Sequence, residues 1–489
     1  MSASALLLLI GYYGALLALA FYGSHRLRLI RTHYRVRCAD PPEPPFPPEM
    51  LGGAVLVQLP VYNERFVVDR LLTACARLRS PLGPLRLQLL DDSGDETSAV
   101  AAAVIARLSA EGVDVVQVRR GSREGFKAGA LAEGLRLDAL RPDGPAPFVA
   151  VFDADFVPEP DFLERTLPHL ADPRAALVQA RWGHLNRDDS LLTRLQAIFL
   201  DGHFVMESCV RFRAGLFFNF NGTAGVFRRA AIEDAGGWSG ETLTEDLDLS
   251  YRALLRGWRF VFLRDVTAPA ELPARMADFK SQQARWTKGS IEVGRKLLPR
   301  VLRAPLPGRM KLEAFTHLTN NLSYPLLVLL ALLLVPSLEV RQRLGWLRLL
   351  WLDAPLFLIS SLSVGLFYLV SQRELGRGSW RDLRLVPGMM SLGIGMALSN
   401  AVGVIEALAG SGTAFHRTPK LGATVAAGRV YRTRVRPLAL AEVALALHIA
   451  VALAAAAITG SWASVPFLLV FFGGFCWGAF HSVRDALAA

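Results

Sequence analysis

Between residues 52 and 300, the sequence alternates short apolar runs with helical patterns. The runs AVLVQLP (54–60), LRLQLL (85–90), VDVVQV (113–118) and FVAVF (148–152) each predict a buried strand. The segments between them carry apolar residues three and four positions apart, which is the spacing of a helix face. Strands that alternate with helices in this way form an open, largely parallel sheet with helices on both faces.

Polar residues follow each of these predicted strands. They are Pro60–Glu64, Asp91–Ser93, Arg119–Arg123 and Asp153–Asp155. Ligands of open α/β sheets bind beyond the carboxyl ends of the strands. We therefore expect these polar groups and carboxylates to converge on one site at that edge of the sheet.

Long apolar runs lie on both sides of this predicted domain. Residues 3–22 are long enough to cross a bilayer. The arginines that follow place the domain in the cytoplasm by the positive-inside rule; they are Arg26, Arg28, Arg31, Arg35 and Arg37. The later apolar runs cover about 315–337, 353–370, 385–408, 437–459 and 463–482. Because basic segments flank run 385–408 on both sides, we expect a helix in the membrane interface there and spans at the other four.

These features divide the chain into an N-terminal transmembrane helix (1–24), a basic and proline-rich linker (25–51), a soluble α/β domain (52–300) and a membrane region (301–489). The net charge is +11, and many arginines lie beside apolar segments. No nucleic-acid-binding motif is present, so the bilayer and phosphate groups are the expected partners rather than nucleic acid. The four cysteines are far apart, which predicts neither a disulfide framework nor a metal knuckle.

Several strand-end residues have side chains suited to a phosphorylated ligand. Asp153 and Asp155 form an Asp-x-Asp pair that can bind a divalent cation, although such a pair is also common in solvated turns. Asp92 either caps the next helix or bonds a ribose or base. Tyr62 can stack on a base or simply pack in its loop. Lys127 opens a helix and opposes its dipole, so it needs an anionic partner such as a diphosphate.

Two later segments complete the candidate site. Thr244-Glu245-Asp246 precedes an amphipathic helix. It is either a helix cap or the position of a general base, Asp246, whose pKa we expect the helix N-terminus to lower. Gln282, Arg285 and Trp286 share one face of a helix at the end of the domain. That face either binds a sugar and phosphate or anchors the helix at the membrane interface.

Taken together, these motifs resemble those of one enzyme family. LPVYNE, LDDSGD, DAD, QARWGHLN, FNGTAGVFRRAAIEDAGGW, TEDLDLSYRALLRGW and QQARW follow the order and spacing of processive family 2 glycosyltransferases. The resemblance is to the cellulose synthase superfamily, most closely its glucomannan (mannan) synthase-like branch, and it covers residues 50–300. A weaker likeness joins FHRTPK, within 411–422, to the FxVTxK gating loop of cellulose synthases.

The resemblance implies a GT-A fold and a set of residue roles. Tyr62, Glu64 and Asp92 would bind the nucleoside, and Lys127 the diphosphate. Asp153 and Asp155 would hold the diphosphate with Mg²⁺ or Mn²⁺, and Asp246 would be the catalytic base. The residues expected to contact the acceptor and nucleotide are Glu245, Gln282, Arg285 and Trp286. The gating loop would comprise Phe415, Arg417, Thr418 and Lys420, with Arg417 in place of the valine of cellulose synthases.

The implied activity is inverting, processive β-glycosyl transfer from a nucleotide sugar, with the glycan passed across the plasma membrane from a cytoplasmic domain. UDP-glucose and GDP-mannose both remain possible donors, and the oligomeric state and any export partner stay open. A non-processive glycolipid synthase similar to ceramide glucosyltransferases is the alternative, because those enzymes share the Asp-x-Asp and QxxRW patterns. A transporter or scaffold with an inactive domain is a third interpretation.

Overall fold

The computed structural model describes residues 2–36, 38–47, 50, 52–345, 350–377, 384–410, 438–460 and 462–487. Its N-terminal helix, α1, covers Ala3–Val36. Seven strands form one sheet in the part that follows: β1 Val55–Val61, β2 Leu85–Asp91, β3 Val115–Val118, β4 Phe148–Val151, β5 Ala175–His184, β6 Gly225–Arg228 and β7 Arg259–Ala270. The helices of the same part are α2 Val68–Ala76, α3 Thr97–Ala110, α4 Phe126–Asp138, α5 Phe162–Thr166, α6 Leu191–Asp201, α7 Cys209–Arg213, α8 Arg229–Asp234, α9 Glu245–Leu255 and α10 Met276–Arg303.

The sheet is mixed but mostly parallel, which confirms the predicted fold class. Its strand order is β3-β2-β1-β4-β6-β5-β7. β6 runs antiparallel to both of its neighbours, and the other named strand pairs are parallel. The four strands predicted from the sequence are β1 to β4, and they form one half of the sheet. The sequence prediction had not included β5, β6 and β7.

Successive residues of β1 point to opposite faces of the sheet, and helices cover both faces. Val55, Val57 and Leu59 of β1 belong to the apolar core on one face. Leu56, between them, belongs to the core on the other face. That second core continues into the membrane region, where it includes Phe367. The sheet and the membrane helices therefore share a single packed interior.

The membrane region contains α11 Gly308–Thr319, α12 Ser323–Arg343, α13 Leu350–Phe357, α14 Ser363–Glu374, α15 Leu385–Gly395, α16 Ala397–Ala409, α17 Ala439–Ile458 and α18 Val465–Leu487. In the part of the chain that the structure describes, five helical segments are long and apolar enough to cross a membrane: Ala3–Val36, Gly308–Arg343, Leu352–Glu374, Ala439–Ile458 and Val465–Arg484. The helices α15 and α16 meet at a bend of 42°. This geometry suits either a broken span or a re-entrant pair, so the predicted interfacial helix at 385–408 stays a prediction.

The linker predicted at 25–51 begins later than expected, because α1 continues to Val36. No proline interrupts the chain until Pro41, and buried partners hold the helix in place. His25 Nε2 lies 2.9 Å from a Glu313 carboxylate oxygen, and His33 Nε2 lies 3.1 Å from Glu374. The second half of α1 is thus packed against other helices rather than extended.

A buried carboxylate, Asp138, accepts hydrogen bonds from β2, from α8 and from the segment before β4. One of its oxygens accepts a hydrogen bond from Arg86 Nη1 at 2.9 Å. The other accepts from Arg229 Nη1 at 2.7 Å and from the backbone N–H of Ala146 at 2.8 Å. The Asp138 side chain is fully buried, and both arginines share it as a buried anionic partner.

We expect Asp138→Asn to destabilise the protein by about 3 kcal/mol, because it removes the buried charge that both guanidiniums share and leaves them only their solvent-exposed partners, Asp143 and Glu233. The measurement is the thermal unfolding midpoint of the detergent-solubilised protein. Asp143→Asn is the matched control, because Asp143 pairs with the same Arg86 from a solvent-exposed position. Equal midpoints for the two variants would contradict this role of Asp138.

Candidate active site

The predicted strand-end residues meet in one cavity of about 190 Å³ at the carboxyl edge of the sheet. Residues from α9 and α10 close its other side. All of the donor and acceptor residues predicted from the sequence line it: Tyr62, Glu64, Asp92, Lys127, Asp153, Asp155, Glu245, Asp246, Gln282, Arg285 and Trp286. The predicted gating residues Phe415, Arg417, Thr418 and Lys420 lie outside the described residues.

Lys127 sits at the centre of the acidic part of this cavity. Its Nζ donates to Asp153 Oδ1 at 2.6 Å and to the carbonyl oxygen of Gly222 at 2.8 Å, and it lies 3.6 Å from Glu245 Oε1. Burial lowers the pKa of Lys127, but the carboxylates of Asp153 and Glu245 outweigh burial and raise it above its usual range. The anionic partner expected for this lysine is thus Asp153.

Asp246 lies in the first turn of α9, on the cavity wall. Gly222 separates it from Lys127: a Cβ atom built on Gly222 would lie 3.1 Å from Asp246 Oδ2 and 3.4 Å from Lys127 Nζ. The absence of a side chain at Gly222, whose φ is +81°, leaves open the space between the carboxylate and the ammonium. The helix-cap interpretation of the Thr244 segment finds no support, because the Thr244 side chain makes no capping hydrogen bond.

The expected direction of the Asp246 pKa shift was wrong. The backbone N–H of Leu247 donates to Asp246 Oδ1 at 2.8 Å and lowers the pKa, as does the charge of Lys127. Burial and the neighbouring carboxylate of Glu245 outweigh both and raise the pKa of Asp246 to about 7. A carboxyl group of this pKa exchanges protons near neutral pH, as a general base must.

Two arginines contact Asp92 and Tyr62, which are predicted to bind the nucleoside. The Arg120 guanidinium binds the Asp92 carboxylate at two points, because Nε donates to Oδ1 at 3.0 Å and Nη2 donates to Oδ2. The next helix, α3, begins at Thr97, whose backbone N–H donates to Asp95 Oδ1 at 3.0 Å. Asp92 therefore faces the cavity rather than capping a helix. The guanidinium carbon of Arg123 lies 3.3 Å from the ring centroid of Tyr62, so the two form a cation–π pair.

Helix α10 presents Gln282, Arg285 and Trp286 to the cavity, as their spacing predicted. The ring centroid of Trp286 lies 6.3 Å from that of Trp182 on β5, so two tryptophans line the same wall. Burial lowers the pKa of Arg285. The helix can approach α9 because Gly289 has no side chain: a Cβ there would lie 2.5 Å from Thr244 Cγ2.

The carboxylates of the cavity suit a divalent cation bound together with phosphate. Within the described ranges, no group of three or more His, Cys, Asp or Glu side chains is arranged to hold a metal ion. Asp153 and Asp155 can therefore supply only part of a coordination shell, with phosphate and water oxygens as the remaining ligands. The two hard carboxylates in this acidic cavity fit Mg²⁺ or Mn²⁺ as ligands when phosphate and water oxygens complete the coordination shell.

Arg123, Asn221 and Trp182 are among the lining residues to which the sequence assigns no role. Arg123 lies in the segment that follows β3, and Trp182 lies in the quoted QARWGHLN motif, so a positional signal existed for both. Asn221 belongs to FNGTAGVFRR, where the glycine-rich turn was the only signal. Nothing in the sequence indicated which of these side chains would face the cavity.

Comparisons with known proteins agree with the motif resemblance. Residues 53–289 match the family model "Glycosyltransferase like family 2". The chain is 44% identical over 251 residues to the probable glucomannan 4-beta-mannosyltransferase 10 of Arabidopsis thaliana, covering 51% of this chain and 45% of that protein. It is 43% identical over 278 residues to glucomannan 4-beta-mannosyltransferase 1 of Oryza sativa subsp. japonica, covering 56% and 52%.

The chain spans about half the length of the curated relatives it matches. A solved structure that resembles it is the mannosyltransferase PcManGT from Pyrobaculum calidifontis in complex with GDP-Man and Mn²⁺. That likeness has a TM-score of 0.49 at 18% identity and covers 77% of this chain and 98% of the other. Residues 53–289 thus match a glycosyltransferase family 2 model, and the chain is similar to plant glucomannan 4-beta-mannosyltransferases.

Proposed function

We propose that the chain is an inverting hexosyltransferase that extends a β-glycan from a nucleotide sugar and passes the product across the membrane. The observation that carries this proposal is the placement of Asp246 beside Lys127 and Asp153, with only Gly222 between the carboxylate and the ammonium. A base for the acceptor hydroxyl thus lies next to the groups suited to a diphosphate. The names of the plant relatives favour mannosyl transfer with a β-1,4 product, although UDP-glucose and GDP-mannose both need testing.

The residues divide the proposed reaction between them. Lys127 holds the diphosphate, while Tyr62, Glu64 and Asp92 hold the nucleoside. A divalent cation bound by Asp153 and Asp155 would stabilise the charge that develops on the leaving diphosphate. Asp246 takes the proton of the acceptor hydroxyl, whose oxygen attacks the anomeric carbon as the bond to the diphosphate breaks. Attack opposite the leaving group converts an α-linked donor into a β-glycosidic product.

Helix α10 supports the second half of the proposal, passage of the product through the membrane. One face of α10 carries Gln282, Arg285 and Trp286 toward the cavity. Another residue of α10 contacts the membrane helices: Lys280 Nζ donates to Glu442 at 2.7 Å and to Ser482 at 2.9 Å. An acceptor sugar stacked on Trp286 would therefore stand at the border between the cavity and the membrane region. The arginines of α1 favour a cytoplasmic catalytic domain at the plasma membrane.

Asp246→Asn should lower sugar transfer by at least about a hundredfold, because loss of a general base typically costs two or more orders of magnitude. The donor KM should change little, since Asp246 acts on the acceptor. The assay supplies membranes with labelled UDP-glucose or GDP-mannose. Glu241→Gln, an exposed acid shortly before α9, is the matched control. Transfer by Asp246→Asn at the wild-type rate would refute the assignment of the base.

The pH profile of kcat/KM should fall on the acid side with an apparent pKa near 7. The base must be ionised, and a carboxyl of pKa about 7 is only about a tenth ionised at pH 6. Lys127 lowers the pKa of Asp246, so Lys127→Met should move the acid limb to higher pH. A profile that stays flat between about pH 5.5 and 8.5 would rule out this role for Asp246.

Chelation of divalent metal with EDTA should abolish transfer, and added Mn²⁺ or Mg²⁺ should restore it. Calorimetric titration with the nucleotide diphosphate gives a second readout: its affinity should rise at least about tenfold when Mn²⁺ is present. In Asp155→Ala, Mn²⁺ should no longer improve nucleotide binding. Full transfer in excess EDTA would contradict a metal requirement.

A further inference from the structure

A short π-helix, Gly202–Ser208, continues α6 beside the active-site cavity. It places His203 and Glu207 four residues apart, with their side chains in contact. π-Helical turns are rare and occur frequently at functional sites, because they change which side chains share a face. Neither residue lines the cavity itself, but His203 contacts Asn221, which does.

Both ring nitrogens of His203 face oxygen atoms. Nδ1 lies 3.0 Å from Glu207 Oε2, and Nε2 lies 2.7 Å from Asn221 Oδ1. Neither oxygen carries a proton to donate when Glu207 is ionised. In this arrangement Nδ1 faces the Glu207 carboxylate, and Nε2 donates to the Asn221 oxygen.

The orientation of the Asn221 amide is set by Asn219. Asn219 Nδ2 donates to Asn221 Oδ1 at 3.3 Å, and Asn221 Nδ2 donates to the Asn219 carbonyl oxygen at 3.4 Å. Turning the Asn221 amide by 180° would bring two donors together and two acceptors together. Its oxygen is therefore directed at His203, and its nitrogen retains a hydrogen for a ligand, since the contact to Asn219 is long.

The charges around the pair keep Glu207 ionised. Burial raises the pKa of Glu207, but Arg211, His203 and Arg26 outweigh it and hold that pKa far below its usual range. Arg211 Nη1 lies 3.6 Å from Glu207, and its Nε donates to Glu313 at 2.8 Å. Glu313 in turn contacts His25 of α1, and the nearby His317 contacts Tyr251 of α9. The carboxylate that holds His203 is thus anchored to both the membrane helices and the catalytic domain.

We propose that His203 and Glu207 are positioning residues for acceptor recognition: the His203 ring, held by Glu207, fixes the amide oxygen of Asn221, so that the Asn221 N–H is offered to a hydroxyl oxygen of the acceptor sugar. This inference rests on the proposed function. Asn221 adjoins Gly222 and shares the cavity with the base Asp246, so a sugar whose hydroxyl reaches Asp246 lies beside the Asn221 amide.

Glu207→Gln tests the positioning role, because an amide can either accept from Nδ1 or donate to it and so no longer fixes which ring nitrogen carries a proton. A neutral His203 that keeps its proton on Nδ1 presents a lone pair on Nε2, which repels the Asn221 oxygen and turns the amide. The KM for soluble β-1,4-linked manno-oligosaccharide acceptors should rise about tenfold, the effect of one misdirected hydrogen bond. The donor KM should change less than twofold.

His203→Gln and His203→Leu form a second pair that stays informative if Glu207→Gln folds poorly. Glutamine keeps an N–H for the Asn221 oxygen and should retain a lower acceptor KM than leucine, which keeps none. Asn221→Asp should raise the acceptor KM by a similar factor, and its combination with Glu207→Gln should add little.

The outcomes separate this proposal from the proposed function. Wild-type protein that transfers no sugar to oligosaccharide and releases no nucleotide diphosphate would refute the proposed function itself. With an active wild type, an unchanged acceptor KM in Glu207→Gln, or equal acceptor KM values in His203→Gln and His203→Leu, would overturn the positioning role. A matched rise in donor and acceptor KM would also overturn it, because a purely structural defect would affect both.

Discussion

The ammonium of Lys127 is the interaction on which the rest of the active site depends. It joins the end of β4 through Asp153, the turn before β6 through the Gly222 carbonyl, and the first turn of α9 through Glu245. These three segments lie far apart in the sequence, and each contributes an oxygen to one cation. Without the positive charge of Lys127, the closely spaced carboxylates would repel one another. The same balance leaves Asp246, which has no comparably close cation, with a pKa near neutrality.

Helix α10 connects this acidic cavity to the membrane. Its close contact with Thr244, which Gly289 permits, sets the distance between the acceptor-side residues and the base. Lys280 and Lys288, on other sides of the same helix, reach Glu442 and Glu406 of the membrane region. Because a single helix contacts both parts, a movement of the membrane helices would also move Trp286 and Arg285.

The sequence predicted the site better than it predicted the fold around it. Parallel strands ending in polar residues must bring those residues to one edge, so Tyr62, Asp92, Lys127 and Asp153 were found from local pattern alone. The antiparallel β6 was missed because its four residues, GVFR, place only two apolar side chains between a glycine and an arginine. The extension of α1 to Val36 was missed because basic residues suggested a linker, whereas buried acids from other helices hold that segment in place.

The pKa of Asp246 and the orientation of the side chains around the cavity were harder to predict from the sequence. Local reasoning assigned Asp246 a lowered pKa from its helix N-terminus, but the packing of Glu245 and the surrounding protein reversed the sign. The contact between His203 and Asn221 joins a π-helix to a glycine-rich turn, and no spacing rule relates those two segments. Such features arise from tertiary packing, which the sequence pattern does not encode locally.

The central claim is that the base Asp246 and the diphosphate-binding groups serve repeated sugar transfer to a growing chain. Its most direct test is the size and linkage of the product made by purified membranes from labelled UDP-glucose and GDP-mannose. The account predicts a long β-1,4-linked glycan whose length grows with incubation time. A single sugar attached to lipid after exhaustive incubation would contradict it.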